Sequence, residues 1–167
     1  YWTAGSWDQW EKISAEALIE KMDPTPNACG KCFMACGQLG TVKEGRHAGL
    51  KIEGPEYETV GTFGSMCDIQ DLEAITMAGY LCNDYGLDTI SCGSTIAFAM
   101  ECFEKGILKK DATGGMEIAF GDSEAMIGLV HRVAKREGVG DLLAEGTRIM
   151  AQKLGNDSER FAMNVNG

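Results

Sequence analysis

Asn27-Ala-Cys-Gly-Lys-Cys-Phe-Met-Ala-Cys36 sets Cys29, Cys32 and Cys36 in a C-x2-C-x3-C array. Thiols this close in sequence converge on one centre when the backbone turns tightly between them, and Gly30 and Gly37 are placed to allow such turns. Iron–sulfur clusters are held by cysteine thiolates, as a rule by four of them. The array therefore reads as three local ligands of a cluster whose fourth ligand lies far away in sequence. Two other readings stand beside it. Three cysteines with one further ligand also suit tetrahedral zinc, and single free cysteines are often no more than small buried hydrophobes. The triplet beside two glycines favours the cluster, carried on an irregular loop or a short helical turn.

Working outward, Trp10, Ile13, Ala17, Leu18 and Met22 recur at helical spacing, which predicts one helix over 6–22 capped by Ser6 or Asp8. Asp23-Pro-Thr-Pro26 stops it, because proline removes a donor and pushes the residue before it out of the helical region. Beyond the cysteines the chain is glycine-rich, with a hairpin pairing 38–42 with 50–52. Glu53-Gly-Pro-Glu-Tyr-Glu-Thr59 then gathers three carboxylates beside a Gly-Pro turn. Such a run is usually a solvated face. Two carboxylates in one pocket would instead raise one pKa and make it a general acid or base.

From 71 onward the pattern is helical and well punctuated. Asp68 or Asp71 opens a helix that ends at Gly86, and Asp88 opens a second that stops at Gly106. Asp122 or Ser123 opens a third ended by Gly138, and Asp141 marks a fourth ended by Gly155. Residues 109–121 read as a linker. The joint Asn83-Asp-Tyr-Gly-Leu-Asp-Thr89 is an ordinary helix stop and start, although exposed amides at a helix start also grip polar ligands. Strand patterns are weak, so the fold is mainly α and multihelical.

Composition bounds the rest. The 167 residues suffice for one compact domain or two small ones sharing a core. A formal charge of −10 argues against nucleic acid and anionic membrane surfaces. No apolar run approaches the roughly 18 residues of a membrane span, and no stretch reads as a signal peptide. Seven cysteines, an odd number, do not form the even framework of a secreted scaffold, and a reducing cytoplasm fits better. The chain opens at Tyr1 without a methionine and stops at Gly167 after an extended stretch, as if cut from something longer.

Taken in order, the cysteine array, Gly54-Pro-Glu-Tyr-Glu-Thr59, Asn83-x2-Gly-Leu-Asp-Thr-Ile-Ser91, Ile96-Ala-Phe-Ala-Met-Glu-Cys-Phe-Glu-Lys-Gly106 and Asp141-Leu-Leu-Ala-Glu-Gly146 resemble the tungsten-containing aldehyde:ferredoxin oxidoreductase family. The resemblance covers most of 27–150. It implies a helical domain of that family's type, and a tungsten or molybdenum held by two pterins with no side-chain ligand. It also implies a [4Fe–4S] cluster that passes electrons to ferredoxin. On it, Cys29, Cys32 and Cys36 are cluster ligands. Asn83, Gly86, Leu87 and Asp88 match a pterin-contacting D-x-x-G-L-[D/C] segment, and Glu58 matches a carboxylate near the metal, with Glu56 the nearby alternative. The domains implied are an N-terminal helix and proline linker (1–26), a cluster loop with the first helical domain (27–108), and an incomplete second helical domain (109–167).

The sequence also departs from the family pattern. Asn83 stands where the motif has aspartate, so an acceptor-only group becomes an amide that also donates. No E-x-x-H follows, so an interface iron site is not supported. The chain lacks the second D-x-x-G-L-C segment with the fourth cluster cysteine, the later active-site histidine and the N-terminal pterin-cradling domain. His47 and His131 match no family position and read as surface or loop residues. The expected whole is an enzyme oxidising small aldehydes to carboxylic acids, of which this is an inactive fragment needing the missing N- and C-terminal parts. A tungsten-dependent aromatic acyl-CoA reductase subunit, a non-catalytic iron–sulfur electron-transfer module and a zinc-stabilised helical interaction domain are the alternatives.

Overall fold

A computed structural model gives the architecture. It describes residues 5–165; the chain ends at Tyr1 and Gly167 lie outside them. Among the described residues the fold is mainly α, with seven α-helices and one small sheet. Helix α1 spans Ala15–Met22 and is preceded by a 3-10 turn at Trp10–Ile13. The expected single helix over 6–22 is therefore two pieces. Ser14 adopts an extended backbone and its hydroxyl accepts from Ala17 N, 3.3 Å away. A serine that caps the next helix cannot continue the previous one.

Three short strands follow: β1 Thr25–Asn27, β2 Gly37–Thr41 and β3 Lys51–Glu53, antiparallel in the order β1-β2-β3. The hairpin of β2 and β3 is the one expected from sequence, with Gly40 opposite Ile52. Strand β1 was not expected, because it is three residues long and carries Pro26. It lies at the sheet edge, the position that tolerates a missing donor. Met22, Val42 and Ile52 form a small apolar cluster of their own at the sheet.

Helix α2, Tyr57–Phe63, also departs from expectation, which left 53–59 as a loop. Its inner face is Thr59, Thr62 and Phe63, too polar to register as an apolar stripe. Then come α3 Leu72–Tyr85 and α4 Thr89–Glu104, both close to their expected limits. Asp71 rather than Asp68 caps α3, accepting from Glu73 N and Ala74 N at 3.0 and 3.3 Å. Gly86 ends it in the left-handed region at φ 72°. Asp122 caps α5, Ser123–Lys135, which ends on Arg136 at φ 53° before Gly138 is reached. The expected fourth helix is broken into α6, Val139–Leu143, and α7, Gly146–Leu154. The segment expected as a linker is packed: Thr113 and Ile118 are fully buried.

One hydrophobic core runs through α2 to α7. Phe63, Leu72 and Ile75 meet Ile96, Phe98 and Met100 of α4, and Met126, Leu129 and Leu143 join them from α5 and α6. The closest backbone approach is at Gly140, where an added Cβ would stand 2.2 Å from the carbonyl carbon and oxygen of Arg132. Backbone has no way to swing aside. Gly140→Ala is expected to destabilise the protein by at least the ~1–3 kcal/mol typical of core overpacking, read as a lowered urea midpoint with unchanged m-value.

Candidate functional site

The cysteine array occupies the connection between β1 and β2, and the pairing of Asn27 with Gly37 closes its base. Cys29, Cys32 and Cys36 are all exposed on this loop. Cys32 N donates to Cys29 O at 2.9 Å, forming a turn. The tight bends come from Lys31 and Ala35, at φ 67° and 46°, and not from the glycines expected to make them. Each such residue costs about 1–2 kcal/mol relative to right-handed backbone. Gly37 has another use. An added Cβ would lie 2.7 Å from Glu53 Oε1 and 3.1 Å from Asn27 O, so the glycine makes room for a carboxylate at the root of the loop.

The other four cysteines are buried. Burial pushes the Cys67 thiol up to about 12, and burial with Glu101 nearby pushes Cys102 to about 12. Cys92 is raised as well, first by its hydrogen bond with Cys82 and then by burial. Thiols so placed are inert at neutral pH. All four sit in the packed core, so among the described residues the exposed loop presents three thiols.

The donor set fits an iron–sulfur cluster in kind: three thiols on one exposed, sharply turned loop anchored at both ends. Among the described residues, no three His, Cys, Asp or Glu side chains are gathered closely enough to hold a metal ion. A cluster here requires the loop to draw its sulfurs together and a ligand from another segment.

Beside the loop lies a cleft of about 150 Å³. Glu53, Pro55, Glu56, Glu58 and Thr59 line one wall; Thr76, Gly79 and Asn83 of α3, with Thr89 and Ile90 of α4, line the other. The acidic stretch and the 83–89 joint, separate in sequence, thus share one cavity. Close helix packing brings them there. Thr59 Oγ1 donates to Thr89 Oγ1 at 2.9 Å, and an added Cβ at Gly79 would stand 3.1 Å from Thr59 Cγ2. Thr76 and Gly79 were missed from sequence because they read as ordinary helix positions; a glycine inside a helix was the available signal.

Of the expected joint residues, Asn83 faces the cleft. Gly86 is the left-handed cap of α3, Leu87 packs half-buried against the core, and Asp88 caps α4 by accepting from Ser91 N at 2.8 Å. The hydrogen bond with Ser91 holds the Asp88 carboxyl below its usual range. Its contribution is therefore present above about pH 4 and lost as pH falls through the lowered folded value. His47 donates its backbone N–H to Glu73, and His131 Nδ1 pairs with Tyr85 OH at 2.9 Å; neither lines the cleft.

A larger cavity of about 390 Å³ lies between the end of α1, the β2–β3 connection and the start of α3. Of its charged side chains, Lys43 Nζ donates to Glu20 O, Asp71 caps α3 and Glu73 holds His47. A cleft of about 150 Å³ is itself below the roughly 300–1,000 Å³ of a small-molecule site.

A family model described as aldehyde ferredoxin oxidoreductase, domains 2 & 3, matches residues 1–167. The tungsten-containing aldehyde ferredoxin oxidoreductase of Pyrococcus horikoshii is 38% identical over 151 residues, 89% of this chain and 24% of that protein. That of Pyrococcus furiosus is 40% identical over 147 residues, 86% and 23% of the two chains. In structure, the chain is similar to the active site complex BamBC of benzoyl coenzyme A reductase, solved with 1,5 dienoyl-CoA. The TM-score is 0.72 at 28% identity, covering 99% of this chain and 23% of that one. The chain thus spans about a quarter of the proteins it matches.

The burial pattern is directly testable. In the native metal-free chain, iodoacetamide is expected to alkylate Cys29, Cys32 and Cys36 within minutes and to leave Cys67, Cys82, Cys92 and Cys102 unmodified until denaturant is added. Peptide mass spectrometry reads both sets.

Proposed function

The chain belongs to the aldehyde ferredoxin oxidoreductase family, and from that premise we propose that it supplies the cluster loop and one wall of the active site in a larger tungsten or molybdenum bis-pterin oxidoreductase. The whole enzyme would oxidise small aldehydes with water to carboxylic acids, in the cytoplasm. When bound, the metal and pterins would supply two-electron redox chemistry, and Cys29, Cys32 and Cys36 would hold the [4Fe–4S] cluster that links that chemistry to ferredoxin as the one-electron partner. Among the described residues no helix is long and apolar enough to cross a membrane.

The observation that carries this reading is the convergence at one cleft of the acidic stretch and Asn83, with the thiol loop rooted beside it through Glu53. Cys29, Cys32 and Cys36 would hold the cluster, with a fourth ligand from outside the chain. Asn83 would donate and accept hydrogen bonds toward a pterin, while Gly86, Leu87 and Asp88 fix the turn that presents it. Glu58, in the first turn of α2, would hold the proton taken from attacking water, with Glu56 as its neighbour. The likeness to the benzoyl coenzyme A reductase complex favours a second reading, in which the same wall serves the reduction of an aromatic acyl thioester. Assaying the full-length protein, purified without air, against aldehydes and against aromatic acyl thioesters separates the two. Metal analysis of that preparation tests both: absence of tungsten, molybdenum and iron overturns them.

Glu58→Gln in the full-length protein is expected to lower turnover by roughly 10²- to 10⁴-fold, the usual contribution of a general acid or base, with iron content unchanged. Loss in Glu56→Gln alone would move the role to Glu56, and full activity in both would leave the stretch a solvated face. The 167-residue chain alone is expected to bind no pterin, to hold a reconstituted cluster substoichiometrically and to be inactive; mass spectrometry of the denatured protein and electron paramagnetic resonance check this.

A further inference from the structure

We infer that Glu53 tunes the reduction potential of the group held by the Cys29–Cys36 loop, an inference that rests on the cluster reading above. Glu53 ends β3 opposite Leu39, and Gly37 stands two residues along β2 on the same face. The Glu53 carboxylate reaches diagonally across that face to the space a side chain at 37 would fill: Oε1 lies 2.7 Å and Cδ 3.7 Å from the position of an added Cβ. The same point is 3.1 Å from Asn27 O. The carboxylate therefore sits where both arms of the thiol loop enter the sheet, one residue from Cys36. It also lines the cleft with Glu56 and Glu58.

Among the described residues no lysine or arginine forms an ion pair with Glu53. An unneutralised negative charge at the root of the loop opposes each electron added to a group held there, which lowers its potential. Cys36 and Gly37 are adjacent along the chain, one Cα–Cα step of about 3.8 Å, which is short against the Debye length of about 8 Å at physiological salt. Glu53 is exposed, so salt weakens the effect. Glu58 lines the same cleft from a different element, helix α2, and removing its charge is a control for charge in the cleft generally.

The test is a redox titration of the cluster in the full-length protein, followed by electron paramagnetic resonance, for wild type, Glu53→Gln, Glu53→Asp and Glu58→Gln. Expected is a midpoint shifted positive in Glu53→Gln, near wild type in Glu53→Asp, and shifted less in Glu58→Gln, with the wild-type value rising with salt more than that of Glu53→Gln. An unchanged midpoint in Glu53→Gln at equal iron content overturns the inference and leaves the cluster reading standing. Iron lost equally from the Gln and Asp variants also overturns it, making Glu53 a packing residue. A wild-type protein without a cluster signal overturns the cluster reading, and this inference with it.

Discussion

The arrangement depends on how closely α2 can lie against the first turns of α4. Gly93 permits it: an added Cβ there would stand 2.6 Å from Thr62 Oγ1 and 3.0 Å from the Thr62 carbonyl carbon. With no side chain in the way, Thr62 Oγ1 reaches both Glu58 O and Thr89 O. Cys67 Sγ contacts Thr62 O and Gly93 O in the same layer. The short helix is thereby fixed by hydrogen bonds as much as by apolar burial. It carries Glu56 and Glu58 to the joint between α3 and α4.

That joint is held by hydrogen bonds at both helix ends. Leu87 N donates to Cys82 O at 2.7 Å and Gly86 N to Asn83 O, closing the last turn of α3 in the double-bonded manner common at helix ends. Asp88 closes the first turn of α4 two residues later. Three of the four residues singled out at this joint are thus spent on backbone geometry, which leaves Asn83 as the one presented to the cleft. The turn is what aims Asn83 into the cleft.

Legibility in the sequence followed the physics that writes each feature. Helices α3, α4 and α5 were readable because apolar periodicity and an aspartate cap agreed at each start. The break at Ser14 was not, because a serine reads as a neutral helix residue until its hydroxyl is seen to cap the next turn. Helix α2 hid behind threonines, and β1 behind a proline and a length of three residues. At the site, the thiol array and the acidic stretch were visible as unusual local composition. Their adjacency was not, since it is made by glycines at 37, 79 and 93 whose only message is the absence of a side chain.

The Asn27–Gly37 pairing has one more consequence. Closing a loop of nine residues before any ligand arrives removes most of the conformations in which its ends would be far apart. For a group captured as proposed, the three sulfurs would act as reagents tethered at high effective concentration, their second and third capture steps being intramolecular. Loosening the edge strand would leave every sulfur in place along the chain and still dilute them.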